Sequence, residues 1–355
     1  MAAAEEAVAR RDHVSSRPTL IALCAAAALA PWAVDLIAVR ATDDVPQSDA
    51  IAQPVIAANL AYSPAHKRVL MVNGSEDFKS EIETRVWSWD GRRWSPLTGS
   101  GPRVRNLAAA AFDRARGEFV LFGGIRPREA QDDMWAWKAE TWRRIADTSV
   151  GPRDHHVMAY DSQRERVVLF GGSGVRPEGA ERRLSPVDTW EWDGERWRQT
   201  ATTGPSGRGR SAMVYDEARR QMVLFGGGGS GSEILGDTWL WNGKQWRQAT
   251  VAGPPARYAH ALAYDADRRV VVLYGGSSAF KPARYLTDMW EWDGEKWTEI
   301  SLAALNPGIR YSPGMEYDRA RRRIVLYGGM QEVDGRARYV FDTWEWDGHR
   351  WTAAQ

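Results

Sequence analysis

Short apolar segments recur along most of the chain, and each recurrence has the same internal order. A segment that ends in an aromatic residue and aspartate, such as His156–Asp161, precedes a continuous apolar segment closed by two glycines, such as Val167–Gly172. A third segment alternates in polarity, as in Asp188–Trp192, and a fourth turns polar after its first residue, as in Trp197–Thr200. Alternation with a period of two is typical of a half-buried strand, and a short continuous apolar run is typical of a strand covered on both faces. The pattern therefore predicts a repeated unit of four β-strands.

Tryptophan marks this repeat with constant spacing. Of the 19 tryptophans, all except Trp32 belong to six triplets of the form W-x-W-x4-W, which recur about every 50 residues. The first two members of each triplet lie two residues apart, so a strand places them on one face. The triplets are Trp87/Trp89/Trp94, Trp135/Trp137/Trp142, Trp190/Trp192/Trp197, Trp239/Trp241/Trp246, Trp290/Trp292/Trp297 and Trp344/Trp346/Trp351.

A turn signal separates the third segment from the fourth. Five units carry Asp-Gly or Asn-Gly there, which are the pairs that favour a two-residue β-hairpin with positive φ. These pairs are Asp90-Gly91, Asp193-Gly194, Asn242-Gly243, Asp293-Gly294 and Asp347-Gly348. The second unit departs from this pattern with Ala139-Glu140. We therefore expect two-residue hairpins in five units.

The double glycine, the tryptophan pair and the tryptophan that opens the fourth strand resemble the kelch repeat over residues 54–355. Six four-stranded sheets cannot each bury a face alone, and radial stacking solves this problem. The resemblance implies an all-β fold, a six-bladed β-propeller with four antiparallel strands per blade. Each unit is complete in chain order, so we expect the first blade to pack on the sixth without exchange of a strand.

The amino-terminal segment has the features of an export signal. A basic patch (Arg10, Arg11 and Arg17) precedes the uncharged apolar run 20–30, which ends in small residues. We predict a signal peptide or a membrane anchor over residues 1–41 and a polar linker over residues 42–53, and hence an exported or membrane-anchored protein. Asp35 interrupts the longer apolar stretch 19–39, so cleavage and anchoring both remain open. A cytoplasmic protein with an apolar extension is the third alternative.

Composition excludes several classes of protein. The 47 basic and 46 acidic side chains nearly balance, which gives no electrostatic reason to expect nucleic acid as a partner. One cysteine in 355 residues excludes a disulfide scaffold and a zinc ribbon. We found no metal-ligand spacing and no glycine-rich phosphate loop. The sequence therefore predicts no metal and no cofactor.

Two charged positions recur in every unit except the first. An arginine lies seven residues before the aromatic residue of the first strand, and an aspartate lies two residues before the first tryptophan of the triplet. Because both are missing from the same unit, we expect them to form an ion pair within each blade, where a planar guanidinium holds a carboxylate. The arginines are Arg105, Arg153, Arg208, Arg257 and Arg310, and the aspartates are Asp133, Asp188, Asp237, Asp288 and Asp342.

Residues that do not recur are the candidates for ligand binding. In an antiparallel blade, the loops between second and third strands lie at the same end as the connections to the next blade. These loops vary most, so this face is predicted to recognise a protein or a glycan. The candidate ligand-binding residues at this end are Asp154, His155, His156, Arg210, Tyr258, His260 and Tyr311. His156 and His260 occupy the same repeat position, which also fits a framework role.

The leading hypothesis is a non-enzymatic binding or scaffolding protein, with no assigned catalytic residue. Galactose-oxidase-like propellers need a cysteine crosslinked to tyrosine, and the only cysteine here, Cys24, lies outside the repeats. Kelch-type sialic acid mutarotases are a second enzymatic analogue, although none of their catalytic motifs is recognisable in this chain. The alternative to a binding protein is therefore a small-molecule enzyme with its site at the axial channel, in which Asp154 and His155 act as acid or base.

Overall fold

The computed structural model describes residues 58–72, 83–97, 99, 101–126, 129–146, 149–174, 186–333 and 336–354. The predicted leader, including Cys24, and the linker lie outside these residues. Within them the chain forms six four-stranded antiparallel sheets, which are the six blades of a β-propeller. No helix of the described residues is long and apolar enough to cross a bilayer.

The first three blades follow one another in chain order. Blade 1 contains β1 (Asn59–Ser63), β2 (Arg68–Val72), β3 (Val86–Trp89) and β4 (Trp94–Pro96). Blade 2 contains β5 (Ala109–Asp113), β6 (Glu118–Phe122), β9 (Met134–Lys138) and β10 (Thr141–Ile145), with the hairpin β7 (Ile125–Arg126) and β8 (Glu129–Ala130) between its second and third strands. Blade 3 contains β11 (Val157–Asp161), β12 (Arg166–Phe170), β13 (Thr189–Trp192) and β14 (Trp197–Ala201).

Each of the last three blades has a hairpin extension between its second and third strands. Blade 4 contains β15 (Ala212–Asp216), β16 (Gln221–Gly228), β17 (Ile234–Trp241) and β18 (Trp246–Ala249). Blade 5 contains β19 (Ala261–Asp265), β20 (Val270–Tyr274), β23 (Met289–Trp292) and β24 (Trp297–Ile300), with the hairpin β21 (Ser277–Phe280) and β22 (Ala283–Tyr285). Blade 6 contains β25 (Gly314–Asp318), β26 (Arg323–Tyr327), β29 (Thr343–Trp346) and β30 (Trp351–Ala353), with the hairpin β27 (Met330–Val333) and β28 (Arg336–Tyr339).

The apolar core lies between blades. Each of six clusters of buried side chains joins two neighbouring sheets, so a single blade buries its faces only inside the ring. Blade 1 closes the ring against blade 6, where the indole of Trp89 donates to Glu345 Oε1 at 2.8 Å and that of Trp94 donates to Thr343 Oγ1 at 3.0 Å. The described strands of these two blades pack on each other without exchanging a strand, as the repeat pattern predicts.

The expectation of two-residue hairpins in the Asp-Gly units is wrong. In blade 5, Trp292 pairs with Trp297, so the loop has four residues, and only its Gly294 has positive φ (+101°). Asp293 instead accepts the backbone N–H groups of Glu295 and Lys296 through Oδ1, both at 2.9 Å. The aspartate is therefore selected for this side-chain cap rather than for positive φ.

The exceptional second unit has the two-residue hairpin. Lys138 pairs with Thr141, and both intervening residues have positive φ, +47° for Ala139 and +60° for Glu140. Neither residue type favours that conformation. Residue types alone therefore predict two-residue hairpins in the Asp-Gly and Asn-Gly units and none in the second unit, whereas the structure has the reverse.

The double glycine lies where one blade meets the next. A Cβ on Gly275 (φ +73°) would lie 2.5 Å from the carbonyl oxygen of Arg310 in blade 6. A Cβ on Gly276 (φ +93°) would lie 2.7 Å from the carbonyl oxygen of Tyr258 in its own blade. Gly276 N–H also donates to Arg310 O at 2.9 Å. The two glycines thus allow neighbouring backbones to approach closely and form a hydrogen bond.

Each recurrent arginine forms an ion pair with the aspartate of its own blade. Arg257 donates to both carboxylate oxygens of Asp288, at 2.7 and 2.6 Å, and to the carbonyl oxygen of Gly275 at 3.1 Å. The Trp290 indole donates to the same carboxylate at 2.7 Å. Burial alone would raise the pKa of Asp288, but its hydrogen bond to Arg257 and the charge of that arginine hold the pKa below the usual value. The other pairs are Arg105–Asp133, Arg153–Asp188, Arg208–Asp237 and Arg310–Asp342.

This ion pair predicts a large stability effect. Replacing Arg257 by methionine (Arg257→Met) leaves the Asp288 carboxylate in a largely buried position without its cation, which costs about 3 kcal/mol. Denaturant unfolding monitored by tryptophan fluorescence measures this loss.

The matched control is Arg322→Met, because the Arg322 side chain is 75% exposed and pairs with Asp267 at the surface. We expect this control to cost less than about 1 kcal/mol. Equal losses for the two variants would contradict the structural role of the buried pair.

Candidate functional site

The first strands of all six blades surround an axial cavity of about 260 Å³. Its upper end is the end at which the chain passes from one blade to the next. Its lower end is formed by the turns between first and second strands. Among its charged lining residues are three arginines and two glutamates: Arg114, Arg210, Arg319, Glu217 and Glu316.

A ring of backbone hydrogen bonds surrounds the upper end. Five residues, each two positions after a recurrent arginine, have φ between +52° and +59°. The four from His155 onward each donate their N–H to the carbonyl of the counterpart in the preceding blade, with donor–acceptor distances of 2.7–3.1 Å. We call these residues, Leu107, His155, Arg210, Ala259 and Ser312, the axial ring.

In the axial ring the backbone is part of the scaffold, whereas the side chains are available for recognition. Its backbone is the same in five blades, whereas its side chains are apolar, cationic, polar or titratable. We therefore place the candidate site on the ring's two largest polar side chains, His155 and Arg210.

Asp154 orients the imidazole of His155. Its Oδ1 lies 2.5 Å from His155 Nδ1, and both side chains are buried. When Nδ1 carries a proton that it donates to Asp154, the other ring nitrogen, Nε2, can accept or deliver a proton. The sequence singled out this adjacent pair, and the structure places it at the upper end of the cavity.

Arg210 crosses from blade 4 towards blade 6. Its guanidinium donates to the hydroxyl of Tyr311, and its Cζ lies 5.6 Å from the Tyr311 ring centroid and 5.9 Å from that of Tyr258. The two tyrosine rings meet edge to face at 5.5 Å. A cation held against aromatic rings is pre-organised to bind an anionic or hydroxyl-rich ligand. The structure thus brings together three of the predicted residues from different blades.

His156 and His260 lie between blades rather than free in the cavity. Their rings meet Phe122 and Phe225 of the preceding blades edge to face, each at a centroid distance of 5.5 Å. Burial lowers the pKa of both imidazoles to about 3, with nearby arginine charge as a further cause, so they stay neutral. Although both residues border the cavity, this geometry removes the rings from our candidate site and assigns them to interblade packing.

An ion-paired cluster at the lower end escaped the sequence-based prediction. Arg114 of blade 2 and Arg319 of blade 6 both donate to Oε1 of Glu217 in blade 4, at 2.6 and 2.5 Å. We call these three residues the floor triad. They follow the recurrent aspartate of the first strand, a position that is small or apolar elsewhere: Pro64, Ser162 and Ala266. A charged residue at a position that is uncharged in the other blades was the sequence signal that could have identified these three residues.

Glu316 is a second missed residue. It lies on β25 as a half-buried side chain, and the equivalent residues of the other blades are small and apolar: Ala61, Ala111, Ala159, Val214 and Ala263. Burial raises the pKa of Glu316 to about 7, against lowering effects from the charges of Arg114 and Arg319. The residue therefore changes charge near neutral pH, which is a property of functional carboxylic acids.

The basic and tyrosine residues of the loops between second and third strands are only partly described. Arg126, Lys281, Arg284, Tyr285, Arg336, Arg338 and Tyr339 lie on or beside the upper hairpins, whereas Arg128, Arg182 and Arg183 fall outside the described residues. Within the part of the chain that the structure covers, no group of histidine, cysteine, aspartate or glutamate side chains is arranged to hold a metal ion.

The raised pKa of Glu316 predicts a pH-dependent stability. Because the folded-state pKa exceeds the unfolded value, the folded protein binds an extra proton between about pH 4.5 and 7, and its stability falls as pH rises through this window. Glu316→Gln removes the charge, so above pH 7 the variant should be more stable than the wild type by about 1–2 kcal/mol, allowing for partial solvent screening. Denaturant unfolding as a function of pH measures the difference.

Below about pH 4.5 the advantage of Glu316→Gln should vanish, since both proteins are then neutral at this position. Glu299→Gln, on the exposed edge strand β24, is the control and should show no such pH-dependent gain. A constant difference between Glu316→Gln and wild type across the pH range would contradict the titration.

Comparison with known proteins supports the fold and leaves the function open. No family model matches the chain, and no curated protein matches it. The solved structure of YjhT superposes on 86% of this chain and 99% of its own, with a TM-score of 0.65 and 14% sequence identity. At this identity the likeness shows the fold alone, and it agrees with an all-β propeller of six blades.

Proposed function

We propose that this protein is a binding protein whose axial cavity holds a small, polar ligand of about the size of a monosaccharide. The observation that carries this proposal is that His155 and Arg210, which come from two different blades, both line the upper end of one cavity, while the Arg210 guanidinium donates to Tyr311 of a third blade. Polar groups that converge in a concave site are the usual basis of ligand orientation and specificity. The scaffold requires neither of the two lining side-chain types, since the positions equivalent to His155 and Arg210 carry other residues in the other blades.

The cavity volume supports a small ligand. Its 260 Å³ lies just below the range of about 300–1,000 Å³ that is typical of ligand pockets. A glycan could therefore insert one terminal residue, while a folded protein would contact only the upper rim. Of the two partner classes predicted from sequence, a glycan fits the cavity better.

The kelch assignment and the export of the protein belong to the same proposal. The arginine–aspartate pair, the double glycine and the tryptophan triplet support kelch-type blades as a common structural unit. The basic and apolar leader supports a location outside the cytoplasm, where free glycans and glycoconjugates are accessible.

Arg210 provides the test of ligand binding. A panel of monosaccharides, uronic acids and amino sugars is screened by thermal stabilisation of the full chain, and we expect at least one compound to stabilise it. Arg210→Met removes a charged hydrogen-bond donor, so affinity for that compound should fall about 10- to 100-fold in calorimetry.

Arg247→Met, on the exposed strand β18, is the matched control and should keep the wild-type affinity. If no compound stabilises the protein, or if both variants lose affinity equally, the axial binding site is wrong.

The Asp154–His155 pair favours a second candidate, an enzyme that interconverts the anomers of a reducing sugar. His155 Nε2 would remove the proton of the anomeric hydroxyl while the ring C–O bond breaks and the ring oxygen takes a proton from an acid; reclosure on the other face returns both protons. Asp154 stabilises the imidazolium formed in the first step. Glu316, with its pKa near 7, can supply such an acid if the ligand spans the cavity.

Asp154→Asn tests this candidate separately from binding. The amide cannot stabilise the imidazolium, so the rate of anomer interconversion, measured by magnetisation exchange in NMR, should fall about 10²- to 10⁴-fold while ligand affinity changes little. A wild-type rate equal to that of the buffer alone would exclude the enzyme and leave the binding protein.

A further inference from the structure

The floor triad holds an unequal number of charges. Two guanidinium groups, from Arg114 and Arg319, share a single oxygen of the Glu217 carboxylate, so the triad carries one net positive charge. Each guanidinium has five N–H donors, and one carboxylate oxygen uses only one donor from each. The lower end of the cavity therefore has both spare charge and spare donors.

Arg319 has a donor that is buried and unused. Among the residues that the structure describes, its Nε–H has no hydrogen-bond partner, although the atom is shielded from solvent. A buried donor without a partner costs about 1–3 kcal/mol. In the described part of the chain, the Nε–H groups of Arg105, Arg153 and Arg310 are also buried without a partner, but Arg319 differs from them because it lines the axial cavity. An acceptor supplied by a ligand would satisfy it.

Glu316 lies close enough to this cluster for its ionisation to depend on the triad. The charges that act on it are those of Arg114, Arg319 and Glu217. When Glu316 is ionised, the four groups sum to zero; when it is protonated, they sum to one positive charge. A single negative charge on a ligand matches the protonated state.

The other titratable groups around β25 either lie near an oppositely charged residue or have a pKa that burial raises. On β1, the strand packed against β25 across the ring closure, Tyr62 stays protonated because burial raises the pKa of its phenol. Asp265 of β19 pairs with Arg268, and Arg323 of β26 lies 3.9 Å from Glu345. On β25 itself, burial raises the pKa of both Tyr317 and Asp318. The floor triad therefore remains the charged neighbourhood of Glu316.

We propose that the lower end of the axial cavity is a carboxylate-binding site, in which Arg114 and Arg319 bind the anionic group of a small organic acid and Glu217 positions the two arginines. This inference deepens the proposed function and rests on it, because the ligand occupies the same cavity. Planar guanidinium groups match a carboxylate in geometry, and the single uncompensated charge matches a monoanion better than a phosphate dianion.

Binding of the anion is coupled to a proton. A ligand carboxylate beside Glu316 favours the neutral form of Glu316, so the complex takes up a proton wherever free Glu316 is ionised. Affinity for the carboxylate therefore decreases as pH rises above the Glu316 pKa, by up to about tenfold per pH unit.

Calorimetric titration of the full chain tests the site with matched probes. Acetate and D-glucuronate are compared with their neutral counterparts acetamide and D-glucose, and with inorganic phosphate, at about pH 6 and about pH 8. We expect a carboxylate probe to bind at least about tenfold more tightly than its neutral counterpart at the lower pH. Its affinity should fall at the higher pH.

Variants separate the site from the fold. Arg319→Gln and Arg114→Gln should each weaken carboxylate binding at least about tenfold, and Glu316→Gln should retain binding but lose most of its pH dependence. Arg322→Gln, in the same turn as Arg319 but exposed and paired with Asp267, is the control and should bind as wild type does. Thermal unfolding identifies any variant that does not fold, and the two arginine variants provide independent tests.

The outcomes distinguish this inference from the proposed function. If neutral glucose binds as well as glucuronate and the arginine variants have no effect, the carboxylate site is wrong while axial binding stands. If phosphate binds more tightly than either carboxylate, the monoanion assignment is wrong. If no carboxylate binds but Arg210 is required for another compound, the lower site fails and the upper site survives.

Discussion

The propeller depends on one buried interaction, the ion pair between an arginine and an aspartate of the same blade. Five blades contain it, and in each the indole of the neighbouring tryptophan donates to the same carboxylate. A charge this deeply buried is tolerated only when nearly all its donors and acceptors are matched. In four of these blades the arginine also donates to the carbonyl of the first residue of the double glycine, which lies at the junction with the next blade. These arginines are Arg105, Arg153, Arg208 and Arg257. One side chain thus links the inner strand, the third strand and the blade junction.

The position of the candidate site follows from this scaffold. Each residue of the axial ring lies two positions after a paired arginine, so the backbone at this position has the same left-handed conformation in five blades. Since the backbone already satisfies the requirements of the fold, the side chain at each ring position is free to differ. His155 and Arg210 are the large polar residues at ring positions, at the upper end of the cavity. At the lower end, Glu316 and the floor triad occupy other positions at which the residue also differs between blades. The two ends differ in chemistry, and under the proposed function this difference would orient an asymmetric ligand along the axis.

Much of the architecture could be predicted from sequence because it repeats. Six tryptophan triplets and five arginine–aspartate pairs report the same packing several times, so coincidence is excluded. The turns could not be predicted, because the aspartate of Asp293-Gly294 caps backbone N–H groups whereas Ala139-Glu140 adopts positive φ against its propensity. The floor triad was missed for another reason. Arg114, Glu217 and Arg319 lie in alternate blades and meet only when the ring closes, so their spacing along the chain carries no trace of the contact. His156 and His260 show the converse, since their shared repeat position favoured a framework role although both were also candidates for ligand binding.

The central claim is that recurrent residues stabilise the propeller while non-recurrent residues around the axis bind the ligand. The most direct measurement determines the free energy of unfolding and the ligand affinity in parallel for substitutions of the five recurrent arginines and of the axial-ring and floor residues. The account predicts that the arginine substitutions lower stability by about 3 kcal/mol, whereas those of Arg210, Arg114 and Arg319 reduce affinity with much smaller stability losses. Affinity losses that track stability losses at every position would contradict it.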